Sequence, residues 1–153
     1  MTAPPEELVA EPIQYDKDLQ LMKGLSKLGD CFHLTTVDKH GAAHSRIMGA
    51  LPFHPVLGYY IGCHAGSAKV GQLESNSHAV LTTYRDTTGD SYTVEAQIVP
   101  QTDKQILLAT WSPLLAQVGY KGPDDTSRVV LQVNVRKAEY VNVKQFWASL
   151  SKK

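Results

Sequence analysis

Apolar residues change their period several times along this chain, and each change marks a new element. Leu19, Met22, Leu25 and Leu28 recur at steps of three. That spacing predicts an amphipathic helix over Gln14 to Leu28, closed by Gly29-Asp30. From Cys31 the pattern becomes β-branched and aromatic. Cys31-Phe32-His33-Leu34-Thr35-Thr36-Val37 predicts a strand, and Asp38-Lys39-His40-Gly41 a turn with Gly where φ is positive. The chain returns as a second strand over Ala43 to Leu51. Pro52, Pro55 and Gly58 mark the next turn, and an apolar run ending in Tyr59-Tyr60-Ile61 predicts a third strand. A small-residue loop then turns helical, with Val70, Leu73 and Gln72 facing inward.

His78 to Tyr84 predicts a fourth strand, and Asp86 to Asp90 a polar turn. Tyr92, Val94, Ala96 and Ile98 alternate with Ser91, Thr93, Glu95 and Gln97, the period of a half-buried strand. Asp103 opens a helix that runs to about Trp111, and Pro113 bends or ends it. Gly119 to Ser127 is a loop. Val129, Leu131, Val133 and Val135 alternate with Val130, Gln132, Asn134 and Arg136, which predicts another strand. Ala138 to Val143 is read as a separate last strand and Lys144 to Lys153 as a short terminal helix. About six or seven strands joined mostly by hairpins, without βαβ alternation, point to a mainly β fold: an antiparallel barrel with flanking helices. Residues 1–13, rich in Pro and Glu, read as a flexible arm, and 14–153 as a single domain.

Composition narrows the partners. Lys+Arg and Asp+Glu are each 15 of the 153 residues, so the formal net charge is zero. A global field that would draw in nucleic acid or an acidic membrane is therefore not expected. The first residues lack a signal-peptide pattern, and no apolar run reaches the length of a membrane span. Cys31 and Cys63 form no CxxC pair, so a cytoplasmic protein with reduced thiols is the expectation.

Few motifs carry chemistry. There is no HExxH, and His40 and His44, though spaced like helical ligands, flank a predicted hairpin turn, so no metal site is expected. GxSxG, GxGxxG and GxxxxGK[ST] are all absent. What remains is local. Ser67 falls at the N-terminus of the predicted helix and Lys69 in its first turn, where a cation opposes the helix dipole. A phosphate there would use free backbone N–H groups, the Ser67 hydroxyl and the Lys69 ammonium together. An ordinary strand–loop–helix with a solvated lysine fits the same residues. On the second strand Arg46 and Met48 share one face and Ile47 takes the other. Arg46 and Met48 suit an anion beside an apolar ring, or an edge-strand Arg in water.

Taken in order, Gly41-Ala42-Ala43-His44-Ser45-Arg46-Ile47-Met48, Tyr60-Ile61-Gly62-Cys63 and Ser67-Ala68-Lys69-Val70-Gly71-Gln72-Leu73-Glu74-Ser75-Asn76 resemble the pyridoxamine-5′-phosphate-oxidase-like flavin proteins. Leu108 to Pro113 and Gly119 to Asp125 resemble the bacterial general stress protein branch. The resemblance runs from about Phe32 to Tyr140. It implies an antiparallel, Greek-key split β-barrel that forms a homodimer and binds FMN at the dimer interface. By position it implies Arg46, Ser67 and Lys69 at the FMN phosphate, with Ala68 between them. Ile47, Met48, Ile61, Gly62 and Cys63 would lie along the ring and ribityl chain, and Trp111 would approach from the partner subunit. Ala68 stands where the family often has a second basic residue, and Cys63 where Thr or Ser is common. The C-terminal Arg/His motif of true pyridoxamine phosphate oxidases is absent, so pyridoxal phosphate synthesis is not expected. The implied activity is an FMN-dependent oxidoreductase acting on an unidentified small molecule, with no catalytic acid or base assigned. The alternatives are a flavin-binding sensor without turnover, or a barrel holding haem or a deazaflavin.

Overall fold

The structure, a computed structural model, describes residues 31–49 and 51–151. The predicted arm and the predicted helix over Gln14 to Leu28 lie outside the described residues. Seven strands form one antiparallel sheet: β1 (Phe32–Val37), β2 (Ala43–Met48), β3 (Phe53–His54), β4 (Gly58–His64), β5 (His78–Tyr84), β6 (Asp90–Gln101) and β7 (Arg128–Asn142). Their order across the sheet is β2-β1-β5-β6-β7-β4-β3. Helix α1 (Ala68–Ser75) joins β4 to β5. Helices α2 (Lys104–Ala109) and α3 (Pro113–Gln117) join β6 to β7, and α4 (Val143–Leu150) follows β7.

Period-two alternation builds the core as the sequence implies. Phe32, Leu34, Ile61, Cys63, Leu81, Val94, Ala96, Ile98, Leu131 and Val133 are buried in one cluster that draws on five strands, and Val70 and Leu73 of α1 close it. Each fully buried aliphatic or aromatic side chain contributes roughly 1.5–3 kcal/mol, so this cluster dominates the fold's stability. The β1–β2 hairpin turns on Asp38, whose carboxylate accepts the N–H groups of His40 at 2.8 Å and Ala42 at 3.0 Å. Gly41, at φ 84°, takes the left-handed position that the turn needs.

Four expectations need correction. The strand over Ala138 to Val143 is not separate: β7 runs unbroken for 15 residues. A β-bulge hides this continuity, because Glu95 pairs with Lys137 and Ala96 with Val135, leaving Arg136 as the extra residue. The alternation therefore slips by one, as at a strand break. The helix that Asp103 opens ends at Ala109, short of Trp111, and a second short helix that the pattern does not show follows from Pro113 to Gln117. Asp103 caps the first, accepting from Gln105 N at 2.8 Å, and Ser112 caps the second, accepting from Leu114 N at 3.3 Å. Pro113 begins α3 at its first turn, where the missing N–H costs nothing. The second strand stops at Met48 and not at Leu51. A short edge strand, Phe53–His54, pairs with Tyr59 and Gly58, two prolines having masked its pattern.

Both faces of β7 are buried at its start. Val129, Leu131 and Val133 point into the core, while Arg128 and Val130, on the opposite face, are also buried. Arg128 donates to the Leu107 carbonyl, which fastens α2 to β7.

Candidate functional site

The loop after β4 is set by backbone bonds. Ala65 N donates to Ser127 O at 2.7 Å, and Ser67 N to His64 O at 3.1 Å. Gly66 N donates to His64 Nδ1 at 3.1 Å. Ser67 then precedes α1 with an extended backbone. Its hydroxyl does not cap the helix; it donates to His64 O at 2.7 Å. The other described helices each receive a side-chain cap, from Asp103, Ser112 and Asn142. Val70 N donates to Ser67 O at 3.1 Å, and the Ala68 and Lys69 N–H groups ahead of it have no intrahelical acceptor by geometry, so they are left for solvent or an anion. Lys69 sits in this first turn, and no carboxylate among the described residues pairs with it.

Arg46 on β2 is drawn toward the same helix. Nη1 donates to Thr36 Oγ1 at 2.7 Å and Leu34 O at 3.3 Å, and Nη2 donates to Gln72 Oε1 at 2.9 Å. Thr36 Oγ1 in turn donates to Gln72 Oε1 at 2.6 Å. Gln72 lies on α1 and faces inward as its period implies. A guanidinium carries five N–H groups, so this network orients Arg46 without using all of them. Burial lowers its pKa from the ordinary value, and its charge is retained.

The remaining predicted residues separate by face. Met48 packs against the core on the Arg46 side, while Ile47 is 64% exposed on the other. On β4, Ile61 and Cys63 project into the core and Gly62 faces outward with open space above it. Burial raises the Cys63 thiol pKa, and the Ser67 hydroxyl and Lys69 ammonium pull against that rise. Ala68, the first residue of α1, is exposed. Trp111 is half-buried, its ring centroid 5.9 Å from the Arg128 guanidinium carbon. Arg128 pairs in register with His64. The Trp111 turn and the Ser67–Lys69 loop are thus neighbours within one chain, joined through Arg128 and Ser127. Sequence reasoning missed Arg128, Thr36 and Gln72 as partners. Arg128 alone left a signal, a charge opening an apolar strand.

Among the described residues, no group of His, Cys, Asp or Glu has the arrangement of a metal site, and no helix is long and apolar enough to cross a membrane. A groove of about 390 Å³ lies between the end of α1 and the end of β6, lined by Leu73, Glu74, Ser77, Ile98, Val99, Pro100 and Thr102. None of the predicted site residues lines it.

None of the curated proteins matches this chain. Solved structures do. General stress protein 26 from Bacillus anthracis is 20% identical, with a TM-score of 0.64 over 81% of this chain and 93% of that one. A pyridoxamine 5′-phosphate oxidase-related, FMN-binding protein from Nostoc punctiforme is 14% identical, with a TM-score of 0.65 over 90% and 87%. An F420 reductase is 15% identical, with a TM-score of 0.58 over 76% and 94%. The fold is therefore the split barrel of these structures. The sequence pattern of the pyridoxamine 5′-phosphate oxidase family matches residues 26–142, and with most of the chain so covered the protein belongs to that family.

Proposed function

We propose that this protein is an FMN-binding flavoprotein and an oxidoreductase for a small molecule. The observation that carries the reading is the uncapped start of α1. Ser67 turns its hydroxyl away from the helix, Lys69 stands in the first turn without a carboxylate, and Arg46 is tied to the same helix through Gln72. These groups fit a phosphate chemically: backbone donors at a helix N-terminus, an ammonium and an oriented guanidinium, with the Ser67 hydroxyl joining them by exchanging His64 O for the phosphate as its acceptor. Family membership supports FMN as the ligand of such a cradle.

In this reading Arg46, Ser67 and Lys69 hold the phosphate, and the open space above Gly62 admits the ligand close to the β4 backbone. Bound FMN supplies the hydride or electron transfer, and the chain orients it and tunes its surroundings. A homodimer completes the pocket. The shared fold with an F420 reductase supports a deazaflavin as the second reading.

The visible spectrum of the purified protein, with the mass of the released ligand, tests the proposal. Flavin absorption and an FMN mass are expected, with saturable binding of added FMN to the stripped protein. A deazaflavin or haem spectrum, or no FMN binding, overturns it. NAD(P)H oxidation by the FMN-loaded protein separates an enzyme from a binding protein. Sedimentation that finds only monomer at micromolar concentration removes the dimer.

A further inference from the structure

Among the described residues Arg128 is the one buried charged side chain, with 1% of its surface exposed, on the face of β7 opposite the core. No carboxylate among those residues forms an ion pair with it, and its Nε has no hydrogen-bond partner. A buried guanidinium is a costly way to join a helix to a strand, and an apolar side chain of similar volume does that job more cheaply. What an apolar residue cannot do is hold several polar groups and an aromatic face at once.

Arg128 does this. Nη1 donates to Thr110 Oγ1 at 3.0 Å, Nη2 donates to the Leu107 carbonyl, and the guanidinium carbon lies 5.9 Å from the centre of the Trp111 ring. Thr110 Oγ1 donates onward to Ile106 O at 2.8 Å, which leaves its lone pairs for Arg128. All of these groups belong to one turn. Trp111 sits in the break between α2 and α3, held by a backbone bond from its N–H to Leu108 O at 3.2 Å. Across the sheet Arg128 pairs with His64, and the neighbouring Ser127 carbonyl receives Ala65 N.

We propose that Arg128 is a positioning residue: it fixes the Trp111 indole beside the end of β4, where the ring forms one wall of the site carried by the same chain's Ser67–Lys69 loop, and not of the partner's as the resemblance implies. The wall's ligand rests on the FMN reading above; the fixing of Trp111 does not.

The chain has two tryptophans, and Trp147 is exposed on α4, so a Trp147→Phe background leaves Trp111 as the sole indole emitter. Acrylamide quenching and fluorescence anisotropy of Trp111, and FMN affinity, are measured for Arg128→Met and Arg128→Lys. In Arg128→Met the indole becomes more quenchable and gains fast motion, and FMN affinity falls about tenfold, the scale of re-ordering one aromatic side chain and its turn. Arg128→Lys restores part of both signals, because a single ammonium lacks the planar fork that reaches two acceptors and an indole. Unchanged Trp111 quenching and anisotropy in Arg128→Met overturn the proposal. Loosened Trp111 with unchanged FMN affinity overturns the wall. If Arg128→Met does not fold, Thr110→Val, which removes one acceptor and keeps the guanidinium, is read against the same outcomes. If the parent protein binds no FMN, the ligand reading fails by itself, and the Trp111 signals still decide whether Arg128 fixes the ring.

Discussion

The Gln72 side-chain oxygen accepts from the Arg46 guanidinium at 2.9 Å, tying edge strand β2 to helix α1 across the neighbouring strand. The same oxygen takes the Thr36 hydroxyl at 2.6 Å. One amide thus fixes the direction of the cation assigned to the phosphate.

Replacing that amide separates stability from binding. Gln72→Leu leaves the Arg46 Nη2 and the Thr36 hydroxyl without their acceptor, and a loss of ~1–3 kcal/mol is expected in urea unfolding. FMN affinity falls too, because Arg46 is no longer oriented. Gln72→Glu keeps the acceptor but places an anion beside the phosphate. Its stability should stay near the parent's while FMN binding weakens. Parent-like FMN affinity in both variants would remove Arg46 from the phosphate site.

Lys69 provides the direct test of the cradle. Lys69→Ala should weaken FMN binding by about 1.5–3 kcal/mol, the range of a hydrogen bond to a charged group. Folding stability should barely move, because the side chain has no carboxylate partner among the described residues. Titration of the stripped protein measures the first effect and thermal unfolding the second. An unchanged FMN affinity rejects the phosphate assignment.

The β pattern was readable where a strand keeps one face in the core, as β1, β4, β5 and β6 do, and Tyr92, Val94, Ala96 and Ile98 show it without interruption. The pattern failed where a second layer or a bulge intervened. Val130 falls on the polar side of the β7 alternation, yet it is buried, and Arg128 on the same side lies under α2, a buried charge that the alternation does not reveal. The bulge at Arg136 looked like a break between strands. Within the site, Ser67 and Lys69 were legible from their place at a helix start, and Arg46 from its alternation with Ile47. The Thr36–Gln72–Arg46 network was not, because it joins residues far apart in sequence. Only the pairing of β1 with β2 brings Thr36 and Arg46 to one side. Backbone turns left clearer traces, and one of them gives a sharp stability test.

Gly89 occupies a left-handed position, φ 80°, under the start of α4. A Cβ there would meet Lys144 Cγ at 2.7 Å and Asn142 Oδ1 at 3.1 Å. Gly41 has the same sign of φ, 84°, but nothing within 4 Å of its would-be Cβ. Gly41→Ala should therefore cost only the conformational term, about 1–2 kcal/mol. Gly89→Ala should cost more, since the Asn142 cap of α4 must also shift. Equal losses in chemical denaturation would mean that Lys144 swings away freely and that the contact carries no energy.

Acid should weaken two turns. The Lys121 N–H at 2.8 Å, the Ser127 hydroxyl at 2.7 Å and the Ser127 N–H at 2.9 Å together lower the Asp125 carboxyl from 3.8 to about 2. The His44 ring, followed by the Ala42 N–H, lowers Asp38 from 3.8 to about 2. A carboxyl depressed in the folded state binds its proton more weakly there than in the unfolded chain. The stability it contributes is complete above the ordinary carboxyl pKa and is lost as pH falls through the folded value. The window is therefore from 3.8 down to about 2. Of the two, only Asp125 touches the candidate site: its turn carries Ser127, whose carbonyl holds Ala65 N, and its own carbonyl accepts Arg128 N at 3.3 Å. Asp125→Asn should flatten the slope of urea stability against pH across that window and weaken FMN binding at neutral pH. Asp38→Asn should flatten the slope alone, since its turn lies at the far end of β2 from Met48. A parent-like slope in Asp125→Asn would show that the turn's bonds favour the carboxylate no more than the carboxylic acid, and would remove the acid-sensitive link between this loop and the site.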